Sequence, residues 1–200
     1  MLNDGIKSIN RRSFLKMTGL GICSNGLATP LLQSCTTKDV EKFFEGFTKL
    51  AVLINDEREK NGLSRISLSD SMMAVALHHV RDLNSNTPQV ECGSESFHSW
   101  STNNDWNGVN GEGAWIGCCY SAEPSKLSCM HDKPKEITNY PEKGYEIVYW
   151  SSGNATPQGA LASWMTSTKG HKDVILNQGD WKNFTWEALG AACGGYYACA

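Results

Sequence analysis

Histidines and cysteines are the residues of this chain whose types could carry chemistry, and local sequence singles out one histidine at once. His171 lies in Trp164-Met165-Thr166-Ser167-Thr168-Lys169-Gly170-His171-Lys172-Asp173-Val174-Ile175-Leu176-Asn177. Trp164 and Met165 close a predicted helix and Gly170 breaks it. His171 then opens a short helical turn carrying Val174, Ile175 and Leu176. An imidazole at such a corner can point into a cleft and still be fixed by packing. His78 and His79 are adjacent on another predicted helix and face different ways, so at most one can approach a cleft. Both read as solvated or core-edge residues. His131, in Met130-His131-Asp132, has no ligand spacing. Ser99, Ser151 and Ser152 show no nucleophile elbow, and there is no glycine-rich phosphate loop.

The eight cysteines are many for a reducing compartment, and no C-x-x-C pair points to a zinc ribbon. An oxidising location is expected. The N-terminus agrees. Asn10-Arg11-Arg12-Ser13-Phe14-Leu15-Lys16 has the form of a twin-arginine export signal, and a weakly apolar stretch from Met17 to Ala28 follows. Leu32-Gln33-Ser34-Cys35 has the form of a lipobox, in which the cysteine sulfur receives diacylglycerol. Residues 1–34 are therefore expected to be a signal peptide, and residues 35–40 a lipidated Cys35 with its tether. Several acyl chains, each burying CH₂ groups at about 0.8 kcal/mol apiece, would hold such a chain on a membrane. Six cysteines remain as disulfide candidates: Cys92, Cys118, Cys119, Cys129, Cys193 and Cys199. They fit three bridges in any of roughly fifteen connectivities. A bond between neighbouring Cys118 and Cys119 would be strained, so each should reach a different partner. Cys193 and Cys199, across Gly194-Gly195, could staple a hairpin, or some of the six could be free and buried.

The net charge of −3 and the lack of a basic patch argue against a nucleic-acid partner. The positioning elements follow from periodicity. Phe43, Phe44, Phe47, Leu50, Ala51, Leu53 and Ile54 form a helical stripe over residues 39–61, with Thr37 as a cap and Gly62 as its end. A second helix runs from about Asp70 to Asn84, capped by Ser69, with Met72, Met73, Val75, Ala76, Val80 and Leu83 inward. Residues 85–144 show neither helical nor strand periodicity. A loop this long must be tied down or functional, and its cysteines can tie it. Its aromatics, Trp100, Trp106, Trp115 and Tyr120, are read as packing it onto the domain. The alternative is a ligand-binding rim. Residues 145–150 read as a strand, Thr156 and Pro157 start a helix, and residues 189–200 read as a closing strand.

Three of these segments carry a likeness. The block W-M-x-S-x-x-G-H-x-x-x-I-L-N, the phrase I-N-D-E-R-E-K-N-G-L-x-x-I-x-L-S-D-S-M-M-x-V-A and the closing G-x-x-x-x-x-G-x-Y-Y-A appear in order. Together they resemble the CAP superfamily (cysteine-rich secretory proteins, antigen 5, pathogenesis-related 1; the SCP domain) in its bacterial form. The resemblance implies an α+β fold, a three-layer α-β-α sandwich with a small antiparallel sheet. The domain would span residues 41–200, with a cysteine-rich insertion at about 100–143. It also implies a central cleft, with His98 and His171 in place of the family histidines and Glu146 in place of its glutamate. Two imidazoles and a carboxylate suit a divalent metal such as Zn²⁺ with an open position for water, although no cofactor is required. Two departures weaken a catalytic reading. Ser167 stands where many relatives carry a second glutamate, and Ile147 replaces the Asn of Gly-Glu-Asn. A buried carboxylate–imidazole cluster would also hold three elements together without metal.

The implied protein is an exported lipoprotein of the cell envelope, periplasmic or at the cell surface. Its leading role is a non-enzymatic binding module for a lipid, sterol or protein partner, attached to the membrane through its lipid anchor. A metal-dependent hydrolase using His98, Glu146 and His171 is the alternative, and a structural envelope protein is the third.

Overall fold

The computed structural model describes residues 37–93, 96–102 and 115–200, with side chains from residue 48 onward. The expected signal segment, Cys35 and Trp106 lie outside the described residues. Helix α1 (Thr37–Lys60) begins inside the segment read as a tether. It turns Leu50, Ala51 and Ile54 into the core. Helix α2 (Asp70–Ser85) starts where the sequence places it, with the Ser69 hydroxyl accepting the Met72 N–H at 3.4 Å. The Asn55 side chain fixes the connection between them. It donates to the Ile66 carbonyl at 2.9 Å and accepts the Ile66 N–H at 2.8 Å.

The irregular region contains short helices α3 (Pro88–Glu91), α4 (Ser128–His131) and α5 (Lys133–Ile137), none long enough to show periodicity in sequence. Strand β1 (Val148–Trp150), helix α6 (Pro157–Thr166) and helix α7 (His171–Leu176) follow. Thr156 caps α6 through the Gly159 N–H, again as its sequence predicts. The closing segment is not one strand but a hairpin, β2 (Ala192–Gly194) and β3 (Tyr197–Cys199). Gly195, at φ 57°, supplies the left-handed conformation that a two-residue hairpin turn demands.

The sheet is antiparallel in the order β1-β3-β2. Its register divides the side chains between two helical layers. Val148, Cys199 and Ala192 are cross-strand neighbours on one face and pack with Ala76, Val80 and Leu83 of α2. Tyr149, Ala198 and Cys193 are neighbours on the other face and pack with the core built from α1, α6 and α7. This is the expected α+β sandwich. The register also explains why Cys193 and Cys199 are both free. Opposite Cys193 is Ala198, and opposite Cys199 is Ala192, so the two thiols project from opposite faces and no staple can form. The other four candidates do pair, as Cys92–Cys119 and Cys118–Cys129, with the neighbours 118 and 119 reaching different partners.

Gly190 lets the closing segment press against α2, since a Cβ there would sit 2.0 Å from the Met72 backbone. Among the described residues no helix is long and apolar enough to cross a membrane.

Candidate functional site

Glu146 occupies the segment leading into β1, whose hydrogen bonds to the last residue fix it: Ile147 N–H donates to Ala200 O, and Ala200 N–H to Ile147 O. Its carboxylate is bracketed by two imidazoles. Oε1 lies 2.6 Å from His79 Nδ1, and Oε2 lies 2.9 Å from His98 Nδ1. Burial alone would raise the Glu146 pKa, but the charge and hydrogen bond of His79, then those of His98, hold it at about 2. An ionised carboxylate only accepts, so both Nδ1 atoms must donate to it. His79 Nε2 faces a second acceptor, the Ser99 carbonyl at 3.1 Å, and must donate as well. His79 is therefore a buried imidazolium. Desolvation opposes that charge, and Glu146 outweighs it, so the His79 pKa is raised.

Each partner has a reason to be where it is. His79 lies on the α2 face that carries Ala76, Val80 and Leu83, and its ring stacks on Trp100 with centroids 4.2 Å apart. His98 arrives on the irregular segment, which is fastened on three sides. Asp82 of α2 accepts the Ser101 N–H at 2.9 Å and also the Ser101 hydroxyl. Trp100 and Cys118 exchange two backbone hydrogen bonds of 2.9 Å. The two disulfides then tie residues 118 and 119 to Cys129 and Cys92. Tyr120 meets His98 edge-on at 5.0 Å.

His171 opens α7 after Gly170, which adopts φ 90°. The far end of α7 is clamped by Arg58 of α1, whose Nη1 donates to Ile175 O at 2.6 Å and to Asn177 Oδ1 at 2.7 Å. Half-burial lowers the His171 pKa, and the charges of His98 and Lys169 lower it further, so the two imidazoles are within electrostatic reach. Ser167 caps α6 and uses its hydroxyl locally, accepting the Lys169 N–H at 3.0 Å.

The residues expected from sequence thus divide. Glu146 and His98 meet, His171 feels His98, and Ser167 stays in its own turn. Two members were missed. His79 was read as a bland helix residue, although its place between Ala76 and Leu83 on the inward stripe is a legible signal. His78, its neighbour, is buried against Trp115 and carries a pKa lowered to about 4 by burial and by Arg81. For Cys199 the sequence leaves open a hairpin staple or a free buried thiol; it is the latter, with Sγ 3.9 Å from His79 Nδ1. Burial, with Glu146 beside it, holds that thiol's pKa well above the usual value.

Two cavities share a wall made of Met72, Tyr145, Gly190 and Ala200. One, about 380 Å³ counted to its open mouth, reaches Glu146, Trp100 and Lys133. The other, about 500 Å³ on the same count, is bounded by Ile54, Ile66, Ile147, Val174, Ile175 and Leu189. Its Tyr145 and Trp186 belong to a cluster with Trp181 and Phe184, the other three rings lying 5.0–5.8 Å from Tyr145.

A family model described as the cysteine-rich secretory protein family, CAP, matches residues 52–199. No curated protein and no solved structure matches the chain.

Proposed function

The chain belongs to the cysteine-rich secretory protein family (CAP), and from that premise we propose that it is an exported, lipid-anchored binding module whose ligand is a lipid or sterol. The observation that carries this reading is the open, apolar cavity lined by Ile54, Ile66, Val174, Ile175 and Leu189. Its walls are largely apolar, the lining expected of a site for an apolar small molecule. Phe184, 41 % exposed, offers apolar surface against Tyr145 and Trp186 of its wall. Two disulfides accord with an oxidising location.

Organic extraction of the purified protein, followed by mass spectrometry, tests the reading, together with titration of a fluorescent fatty acid and a fluorescent sterol. Ala188 lines this cavity and is only half-buried, so Ala188→Trp should fill the space and abolish binding. Absence of extracted lipid together with no titratable binding would refute the proposal.

One observation favours a second reading, a metal-assisted hydrolase. With Nδ1 on Glu146, His98 has Nε2 as its remaining ring nitrogen, the carboxylate–histidine pattern that orients metal ligands. His98 and His171 would hold the ion, which would supply an activated water. Glu146 would orient His98 through Oε2. Zinc affinity lost in both His98→Ala and His171→Ala would support it, and unchanged affinity in His171→Ala would exclude it.

A further inference from the structure

We propose that His79, Glu146 and Cys199 form a buried soft-metal site of the zinc type, separate from the His98–His171 pair. The three residues come from α2, the segment before β1, and β3. His79 Nδ1, a Glu146 carboxylate oxygen and Cys199 Sγ all lie within 4.8 Å of one another. Nitrogen, oxygen and sulfur donors at that spacing match a tetrahedral ion with one position left for water.

Two further observations point the same way. A metal-bound imidazole characteristically donates its other N–H to a carbonyl or carboxylate, which fixes the tautomer. His79 Nε2 does so, at 3.1 Å from Ser99 O, and the Trp100 ring stacked on it holds its plane. The charge count also closes. The metal-free cluster holds an imidazolium, a carboxylate and a neutral thiol, with a net charge of zero. Replacing the proton between His79 and Glu146 and the thiol proton by one divalent ion leaves a neutral imidazole, a carboxylate, a thiolate and M²⁺, again zero. The ion therefore enters a buried place without burying net charge, and two protons leave. A thiol, an imidazole and a carboxylate brought to one buried point by three different elements are more donors than packing alone calls for. Alanine or serine would complete the sheet face at position 199.

Cobalt(II) is the probe, because a cobalt–thiolate bond gives a near-ultraviolet charge-transfer band that histidine and carboxylate ligands do not. The full chain, stripped of metal and with its disulfides intact, is titrated with Co²⁺ alone. The band should appear and saturate at one ion per chain. It should persist in the Cys23→Ser/Cys35→Ser/Cys193→Ser chain, which leaves the site untouched and Cys199 as its one unbridged thiol if the two disulfides hold. Cys199→Ser should abolish the band. His79→Ala should raise Kd by roughly 100-fold or more, above the about 10- to 100-fold typical of losing an outer partner. His171→Ala should leave both band and Kd unchanged. Cobalt bound without the band, a band lost in the triple-serine chain, or no binding by the wild-type chain would each overturn the proposal. Cobalt binding that lacks the band and is lost in His171→Ala would instead locate the ion in the cleft.

Discussion

The Glu146 cluster and the apolar cavity stand back to back across Met72, Tyr145, Gly190 and Ala200, and they are held together by opposite means. The polar side rests on a few directed contacts: two carboxylate–imidazole pairs, a helix aspartate gripping Ser101, and two disulfides around the His98 segment. The apolar side rests mainly on packing of α1, α7 and the segment before the closing hairpin around space that they do not fill, with directed bonds to the backbone of Ile66 and Ile175. A directed cluster concentrates its energy, so the loss of one group leaves its partners unpaired. A packed wall around a void spreads its energy, so it can change shape or size at low cost. Single substitutions should therefore be severe on one side of the wall and mild on the other.

The largest effect is expected from Glu146→Ala. It strands the His79 imidazolium in a place with no exposure, and it frees His98. Breaking one partner of a buried pair costs about 3–5 kcal/mol, which a urea denaturation midpoint will register. A loss below about 1 kcal/mol would mean that His79 deprotonates without consequence, and the contrast between the two regions would fail. Reduction of the disulfides should come next. Their closed loops have sequence separations of 27 and 11, worth about 3 kcal/mol each on chain-entropy grounds, although the loops overlap and the two effects will not add. Histidine resonances should locate the damage, with that of His98 broadened most.

These expectations rest on parts of the molecule that were unequally legible in sequence. The caps Ser69 and Thr156 were readable because capping is decided within three residues. The separate partners of Cys118 and Cys119 were readable because a bond between chain neighbours is strained. The hairpin was hidden because its strands are only three residues each, the first of them all small residues, and only the turn at Gly195 divides them. Counting cysteines to an even number then suggested a bond that the two faces of the sheet prohibit. His79 was overlooked for a related reason. Its adjacency to His78 says nothing of its direction, whereas the inward stripe on which it lies decides its role. The resemblance supplied His98, Glu146 and His171 but not His79 or Cys199, so the centre of the cluster became visible only in three dimensions.

Acid sharpens the comparison without altering any side chain but one. The Glu146 pKa is depressed from an ordinary 4.5 to about 2, so its contribution is complete above pH 4.5 and disappears as pH falls through about 2. The His79 pKa is raised, so its contribution is complete below about pH 6.5 and is lost as pH rises through its folded value. His78 works against them at the acid end. Its pKa is lowered to about 4, so the folded state loses stability from pH 6.5 down to about 4. Glu146→Gln removes the carboxylate and leaves His78 alone. The stability difference between wild type and Glu146→Gln should be on the order of 3 kcal/mol near pH 5 and should vanish toward pH 2. A difference constant to pH 2 would show that the carboxylate is not charged in the folded protein.

The smallest effect is expected across the wall. Ala188→Trp adds a large ring to a half-buried position that lines space already present, so neither a new cavity nor a lost hydrogen bond follows. Overpacking costs about 1–3 kcal/mol in a filled core, but here the ring displaces solvent-accessible volume and gains contact with Ile175 and Leu189. The denaturation midpoint should therefore shift by the equivalent of no more than about 1 kcal/mol, in either direction. Lipid titration of the same variant separates two explanations for such tolerance. If stability is unchanged and binding is lost, the void is a site kept open against the gain that filling it would bring. If stability rises and the wild-type chain binds no lipid, the void is slack in the packing, and the difference between the two regions is one of tolerance alone.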